Sequence, residues 1–381
     1  MESSSSKSRS FLLVEPRFPT LTLDSLVHQV LHNCSISDAR YAGCYSICGL
    51  ALRLRDLYKW EKGLDPWVEE ESSTVLNWIG NKEEEWEKVA RRAFAPINIL
   101  GRSYDAFDTA GINRILEPLG LYYGAGYVHS LKPCFFLARL DEKRWVDGFP
   151  AYYLGRELAR DLLTVPAFSQ DDRILIRKES AKLFLWDKIF FVKKSGRAAL
   201  KFALKSYGLE MQDAEALQSA FAFISEDEAE SYVHHELGEI RDTDFDRLAW
   251  QDMIATFPHT PIELFIRSVK DMLADTNEYG RLRYITREKK LASLGFFAAF
   301  LDGLRKELFP EFVEAFMEFA ETRDWHVIEK TVSVGYRRAK SYTETICGIY
   351  EAGKKNNDMQ GVASEIEKQL LIPLGIITER G

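Results

Sequence analysis

The spacing of hydrophobic residues divides the chain into a mixed first half and a helical second half. Residues 20–33 and 37–62 repeat apolar side chains every three or four positions, which predicts two helices. Between about residues 121 and 192 the pattern changes to short alternating runs such as KPCFFLARLD and KRWVDGF, which are typical of strands. The segment YLGRELARDLLT is predicted to interrupt these strands as a helix, and residues 182–192 are predicted to add a further strand.

Beyond Gly208 nearly every segment has helical spacing, and helix-start signals precede several segments. One of these signals is Asp275 with Glu278, which we interpret as the cap of a new helix. We therefore predict a mainly α fold, with an α+β first half that carries a small antiparallel sheet and an all-α second half that forms a helical bundle. The expected units are a disordered tail over 1–15, an α+β domain over 16–207 and an all-helical domain over 208–381.

The most apolar stretch of the chain, Leu291 to Leu308, is predicted to be a helix at the centre of the second half. Its first part has no polar face, so a helix there would be enclosed by other elements. Small residues such as Gly295 and Ala299 would let a neighbouring helix approach closely. One acid, Asp302, lies within this stretch, and we expect its carboxylate to be buried.

Composition and charge exclude some classes of protein. The chain has 381 residues, 46% of them hydrophobic and 28% charged, which is typical of a globular protein long enough for two domains. A formal net charge of -8 makes general nucleic-acid binding unfavourable, because such binding depends on Lys and Arg neutralising phosphates. The first ten residues lack the apolar segment of a secretory signal, and the central apolar run is too short to span a bilayer. Five cysteines without a CxxC pair favour reduced thiols, so we predict a cytoplasmic protein with no membrane partner.

Four segments carry a resemblance to a known family. They are RDLYKWEKGLDPW (Arg55–Trp67), HHELGEIRD (His234–Asp242), VKDMLADTNEYG (Val269–Gly280) and FLDGLRKELFPE (Phe300–Glu311). Together they resemble an uncharacterised bacterial family of conserved hypothetical proteins, and the similarity covers most of the chain. The resemblance implies a bacterial, cytoplasmic protein, and it supplies no activity, fold or site.

Histidines and carboxylates one helical turn apart are the candidates for a metal site. His235 and Glu239 share a face of one predicted helix, and His326 and Glu329 do so on another. With Asp302 they would provide two imidazoles and three carboxylates, which suit one or two divalent ions such as Fe, Mn or Zn. Neither the Glu-x-x-His motif of helical di-metal proteins nor HEXXH occurs in the chain. The alternative interpretation is a solvated helix face with local contacts between its His and Glu side chains.

Another helix carries charges at four-residue steps. Glu263, Arg267, Asp271 and Asp275 follow one another in this way. We interpret this series as an ion-pair ladder on the surface, in which each pair contributes a few tenths of a kcal/mol. If that face were buried, Arg267 would be a natural anchor for an anion.

A basic stretch, residues 173–205, is the candidate for binding an anion or a partner. Lys193, Lys194, Arg197 and Lys201 lie together there, and aromatic residues are interleaved with the charges. Such a mixture suits phosphate or single-stranded nucleic acid, or a protein partner in a homodimer. The aromatics are equally explained as the inner side of a sheet.

No phosphate-binding loop, dinucleotide-binding glycine motif or GxSxG elbow is present in the sequence. We therefore predict a cytoplasmic helical protein with a polar or metal-binding pocket among its C-terminal helices. Such a pocket would serve a metal-dependent enzyme or a small-molecule binder. The alternative is a non-enzymatic scaffold or interaction protein, either monomeric or dimeric, that docks through the basic stretch.

Overall fold

The computed structural model of the protein describes residues 23–128, 131–170, 172–243 and 247–378. The predicted disordered tail, residues 1–15, lies outside these ranges. Among the described helices, none combines the length and the apolar character needed to cross a lipid bilayer.

Four α-helices and seven strands make up the described part of the first half of the chain. The helices are α1 (Leu23–Tyr41), α2 (Ile47–Lys62), α3 (Ser72–Val89) and α4 (Thr109–Leu116). The strands are β1 (Ile97–Ile99), β2 (Arg102–Tyr104), β3 (Leu121–Val128), β4 (Lys132–Val146), β5 (Phe149–Arg160), β6 (Ala167–Gln170) and β7 (Arg173–Arg177). Apolar side chains of α1, including Leu26 and Val30, pack with Phe135 of β4 and close one side of the sheet.

The main sheet has five strands in the order β3-β4-β5-β7-β6 and is curled into a half-barrel. Neighbouring strands are antiparallel except β5 and β7, which run parallel with Ala151 opposite Ile174. The strands β1 and β2 form a separate antiparallel pair. In the five-stranded sheet β3 and β6 are therefore the two edge strands.

The prediction of a small antiparallel sheet is wrong, because the sheet is mixed and its longest strand has 15 residues. Residues 153–160 of the segment predicted as an interrupting helix belong to β5. Consecutive residues of this strand from Ala151 to Leu154 are all buried. Burial on both faces removes the alternation that identifies a strand. Residues 182–192, predicted as a strand, lie mainly in a helix, α5 (Lys178–Phe190), which is also buried on several sides.

The second half is helical, as the periodicity indicates. After α5 its helices are α6 (Arg197–Lys205), α7 (Ala214–Arg241), α8 (Arg247–Thr256), α9 (Pro261–Thr276), α10 (Arg281–Arg287), α11 (Leu291–Phe300), α12 (Gly303–Leu308), α13 (Pro310–Thr322), α14 (Trp325–Asn356) and α15 (Met359–Ile366). A single π-helical turn, Glu367–Leu371, follows α15. The largest apolar core of the protein joins side chains from most of these helices, including α5 and α6. The domain boundary expected between residues 207 and 208 stays a prediction.

The apolar stretch Leu291–Leu308 is two helices rather than one. The helix α11 ends at Phe300, Asp302 is extended, and Gly303 has φ +53°, a conformation that favours glycine. Within α11, a Cβ atom on Gly295 would come within 2.8 Å of the Ala203 side chain of α6. The expected close approach of a neighbouring helix at Gly295 is therefore confirmed.

The helix α7 connects the two halves of the molecule. Its residues Tyr232 and Val233 pack in one apolar cluster with Ala167 of β6 and Ile176 of β7. On another side α7 packs against α9, which belongs to the helical half. Charged side chains of α7 and α9 face a cavity beside the edge strand β6.

Candidate metal centre

The close contact between α7 and α9 depends on a glycine. A Cβ atom on Gly238 of α7 would overlap the carbonyl oxygen of Ala274 on α9. The Asn277 side chain, just beyond α9, donates a hydrogen bond of 2.8 Å to the Gly238 carbonyl oxygen. The side chains that lie near this contact on α7 and on α9 are therefore held opposite each other.

Three potential metal ligands meet at this helix contact. His235 and Glu239 extend from α7 and Asp271 from α9, and each offers one ligand atom within 4.8 Å of the other two. His235 Nε2 lies 3.8 Å from Glu239 Oε1. Asp271 makes no hydrogen bond or ion pair with another described residue, so its carboxylate is available to a ligand.

The imidazole of His235 is held in one orientation by its other nitrogen. His235 Nδ1 lies 2.8 Å from Oδ1 of Asp275, a buried carboxylate on α9. The second oxygen of Asp275 accepts a hydrogen bond of 2.5 Å from Arg305 on α12. A carboxylate at Nδ1 places the proton on that nitrogen and leaves Nε2 as the ligand atom, which is the usual support of a metal-bound histidine.

The pKa values of Glu239 and His235 agree with the role of Glu239 as an anionic ligand and of Asp275 as the partner of His235. Although burial favours the neutral acid, the positive charges of Lys270 and His235 lower the pKa of Glu239 below its usual value. Lys270 donates a hydrogen bond of 2.6 Å to Glu239 Oε2, which leaves Oε1 on the side of His235. Burial also disfavours the imidazolium, but the attraction and hydrogen bond of Asp275 outweigh it and raise the pKa of His235 to about 9. Without a metal ion, the protonated form of His235 is therefore favoured at neutral pH.

Glu236 is an acid beside the three ligands, and its pKa is raised, whereas the pKa of Glu239 is lowered. It follows His235 on α7, is buried, and lines the same cavity. Burial raises the pKa of Glu236 to about 8, and the neighbouring Glu239 carboxylate adds to this rise. A carboxyl group that titrates near neutral pH is suited to accept and donate protons during a reaction.

The ligands and Glu236 open into a cavity of about 560 Å³ between α7, α9 and β6. This volume lies within the range of about 300–1,000 Å³ typical of ligand pockets. The cavity wall also includes Trp250, whose ring is contacted by the cations Arg267 and Lys270 at 5.6 and 4.6 Å from its centroid. The site is therefore open to a molecule considerably larger than water.

Comparisons with known proteins identify the family. The model of the N-terminal domain of a family of unknown function, DUF6866, matches residues 25–177, and the model of its C-terminal domain matches residues 182–369. The chain belongs to the DUF6866 family. Searches of the curated proteins and of the solved structures found no match. The resemblance to a family without an assigned activity is thus confirmed, whereas a bacterial source stays a prediction.

In terms of the DUF6866 domains, the cavity lies at their junction. The ligands His235, Glu239 and Asp271 all fall in the C-terminal domain. The strand β6, which lines the same cavity, falls in the N-terminal domain. Both domains therefore contribute to the candidate centre.

Only two of the five predicted metal ligands, His235 and Glu239, are part of the group that the structure forms. His326 and Glu329 are exposed near the start of α14, where His326 Nδ1 lies 3.7 Å from a carboxylate oxygen of Glu329. The expectation that Asp302 is buried is wrong, because its side chain is 42% exposed and pairs with Lys193 at 3.0 Å. The break between α11 and α12 places Asp302 at a helix start on the surface.

The basic residues Lys193, Lys194, Arg197 and Lys201 are exposed around the start of α6. The aromatic residues before them belong to α5 and its end rather than to the inner side of a sheet. A partner that docks on this basic surface stays a prediction, as does a homodimer.

Sequence reasoning missed Asp271, Asp275 and Glu236 as members of the site. The helix α9 includes Asp275, which is buried and binds His235, so the interpretation of Asp275 as the cap of a new helix is wrong. A signal for Glu236 was present, because HELGE differs from the HEXXH zinc motif only in having Glu for the second His. The four-residue step from Asp271 to Asp275 was the matching signal on the facing helix.

Proposed function

We propose that the protein is a metal-dependent hydrolase, with His235, Glu239 and Asp271 as the metal ligands. The observation that carries this proposal is the fixed imidazole of His235. Its Nδ1 lies 2.8 Å from Asp275 Oδ1, its Nε2 lies 3.8 Å from Glu239 Oε1, and Asp271 of the facing helix completes the group. Three protein ligands in an accessible cavity leave coordination positions for water and substrate, as in catalytic rather than structural sites.

One imidazole and two carboxylates favour Zn²⁺, Mn²⁺ or Fe²⁺. Imidazole suits Zn and Fe, whereas carboxylates suit Mn, and no thiolate is part of the group. Such an ion would polarise a water molecule and a substrate carbonyl.

Glu236 supplies the proton transfers of hydrolysis. In its carboxylate form it accepts a proton from the attacking water, whose oxygen bonds to the carbonyl carbon. It then returns this proton to the leaving group as the bond to that group breaks. The order His235, Glu236 and, three residues later, Glu239 gives a ligand, a base and a second ligand on one helix, as in zinc metalloproteases. A cytoplasmic location stays a prediction.

The first test is metal binding by a matched pair of variants. The metal-free wild-type protein is expected to bind one Zn²⁺ or Mn²⁺ per chain by isothermal titration calorimetry. The Asp271→Asn variant is expected to bind at least about tenfold more weakly, because the substitution removes a charged ligand. Asp302→Asn is the control, since Asp302 lies on the surface outside the group, and it should bind like wild type.

Equal metal affinity of the Asp271→Asn variant and the wild-type protein would show that Asp271 is not a metal ligand. Stoichiometric binding of none of the three metals would overturn the proposed function.

The second test is the pH dependence of metal affinity. With a pKa of about 9, His235 is protonated in the metal-free protein at neutral pH, and the metal must displace the Nε2 proton. Affinity for Zn²⁺ is therefore expected to rise by about tenfold per pH unit between about pH 6 and 8. Competition with a metal-sensitive dye measures this slope.

Asp275→Asn provides the control for the pH slope. Since Asp275 raises the pKa of His235, its neutral replacement should lower the pH at which affinity stops rising. A slope of zero in the wild-type protein would contradict binding through a protonated His235.

A further inference from the structure

We propose that the substrate is an extended polypeptide, which pairs as an added strand with the free edge of β6 while its scissile amide lies at the metal centre. This inference rests on the proposed function and names its substrate class. The edge strand β6 and the ligands His235, Glu239 and Asp271 line the same cavity. A sheet edge beside a hydrolytic centre offers both the affinity and the orientation that an extended peptide needs.

The backbone of β6 has one bonded and one open side. Arg177 N–H donates to the Pro166 carbonyl oxygen at 2.9 Å, which marks this pair as hydrogen-bonded in the antiparallel ladder. Bonded pairs recur every second residue, so Phe168 is also bonded to β7. The N–H and C=O groups of Ala167 and Ser169 therefore point away from β7, and no other described residue hydrogen-bonds to them.

Packing on α7 holds β6 beside the helix that carries His235 and Glu239. The Ala167 side chain packs with Tyr232 and Val233 of α7, one turn or less before His235. At the other end of β6, Gln170 donates a hydrogen bond of 2.5 Å to the Ala125 carbonyl oxygen of β3. This bridge limits pairing to the residues of β6 before Gln170, and these residues line the cavity.

The reaction at this site is hydrolysis of one amide bond. The water oxygen forms a bond to the amide carbon, and Glu236 takes up the proton of the water. The carbon–nitrogen bond then breaks, and the proton passes from Glu236 to the departing amine. The products are a carboxylic acid and an amine, the acid then gives its proton to the amine or to water, and no oxidant or reductant takes part.

The test uses the full-length, metal-loaded protein with short quenched-fluorescence peptides and with p-nitrophenyl acetate as a small non-peptide substrate. Ser169→Pro removes the outward N–H of Ser169, and proline is tolerated on an edge strand where its nitrogen faces away from the ladder. The variant is expected to lose about tenfold or more in kcat/KM for peptides, while ester hydrolysis and metal content stay unchanged. Ser169→Ala keeps the N–H and should cleave peptides like wild type.

A second measurement needs no variant of the protein. The cleaved peptide is methylated on alternate backbone nitrogens in two registers. We expect one register to resist cleavage and the other to be cleaved, because only alternate N–H groups face β6. If Ser169→Pro fails to fold, this comparison decides the question.

Failures of the two proposals give different results. Metal-dependent ester hydrolysis without cleavage of any peptide overturns the peptide inference and leaves the hydrolase intact. Equal cleavage of peptides methylated in either register also overturns the peptide inference and leaves the hydrolase intact. Absence of bound metal, or ester hydrolysis that persists in chelator, overturns the hydrolase and the inference with it.

Discussion

Replacing Glu236 by Gln is expected to lower kcat of the metal-loaded protein by about 10²–10⁴-fold, the usual contribution of a general base or acid. The amide of Gln keeps the size of the carboxyl group but cannot accept the proton of the attacking water. Metal content should stay at one ion per chain, because Glu236 is not one of the three grouped ligands. The measurements are steady-state kinetics and elemental analysis of the same sample.

The fold should tolerate Glu236→Gln well. In the metal-free protein burial and the Glu239 carboxylate raise the pKa of Glu236 to about 8, so the neutral acid is favoured and the neutral amide is a close replacement. Glu226→Gln, an exposed position on the same helix, is the matched control and should keep full kcat. Full activity in Glu236→Gln would exclude Glu236 as the base, and loss of the metal would make it a ligand instead.

Gly238→Ala is expected to destabilise the protein by about 3 kcal/mol and to weaken metal binding at least tenfold, an order-of-magnitude expectation for overpacking. The added Cβ atom would overlap the Ala274 carbonyl oxygen, so α7 and α9 must move apart. Such a movement separates His235 and Glu239 from Asp271 and breaks the contact of His235 with Asp275. Denaturant unfolding and metal titration measure the two effects.

The control for Gly238→Ala is a glycine in open surroundings. A Cβ atom on Gly348, within α14, would meet no atom within 4 Å. Gly348→Ala should therefore stabilise the protein by about 1 kcal/mol, the ordinary helix preference for Ala over Gly. If Gly238→Ala behaved in the same way, the close contact of α7 and α9 would not be the feature that positions the ligands.

The sequence predicts secondary structure least well for elements that are buried on all sides. Strand β5 and helix α5 were exchanged in the prediction, because side chains buried on all sides leave neither a two-residue nor a 3.6-residue period. Asp302 was expected in the interior because its neighbours along the chain are apolar. The end of α11 and the positive φ of Gly303 instead turn the chain there and bring Asp302 to Lys193 on the surface.

The sequence by itself determined the helical second half and the pairing of His235 with Glu239, because the period of a helix places residues four apart on one face. It also determined the spacing of Asp271 and Asp275 on their own helix. Only the tertiary structure decided that these two faces meet, through the contact of Gly238 with Ala274. Contacts between distant segments depend on how whole helices pack, and one sequence read locally does not contain that information.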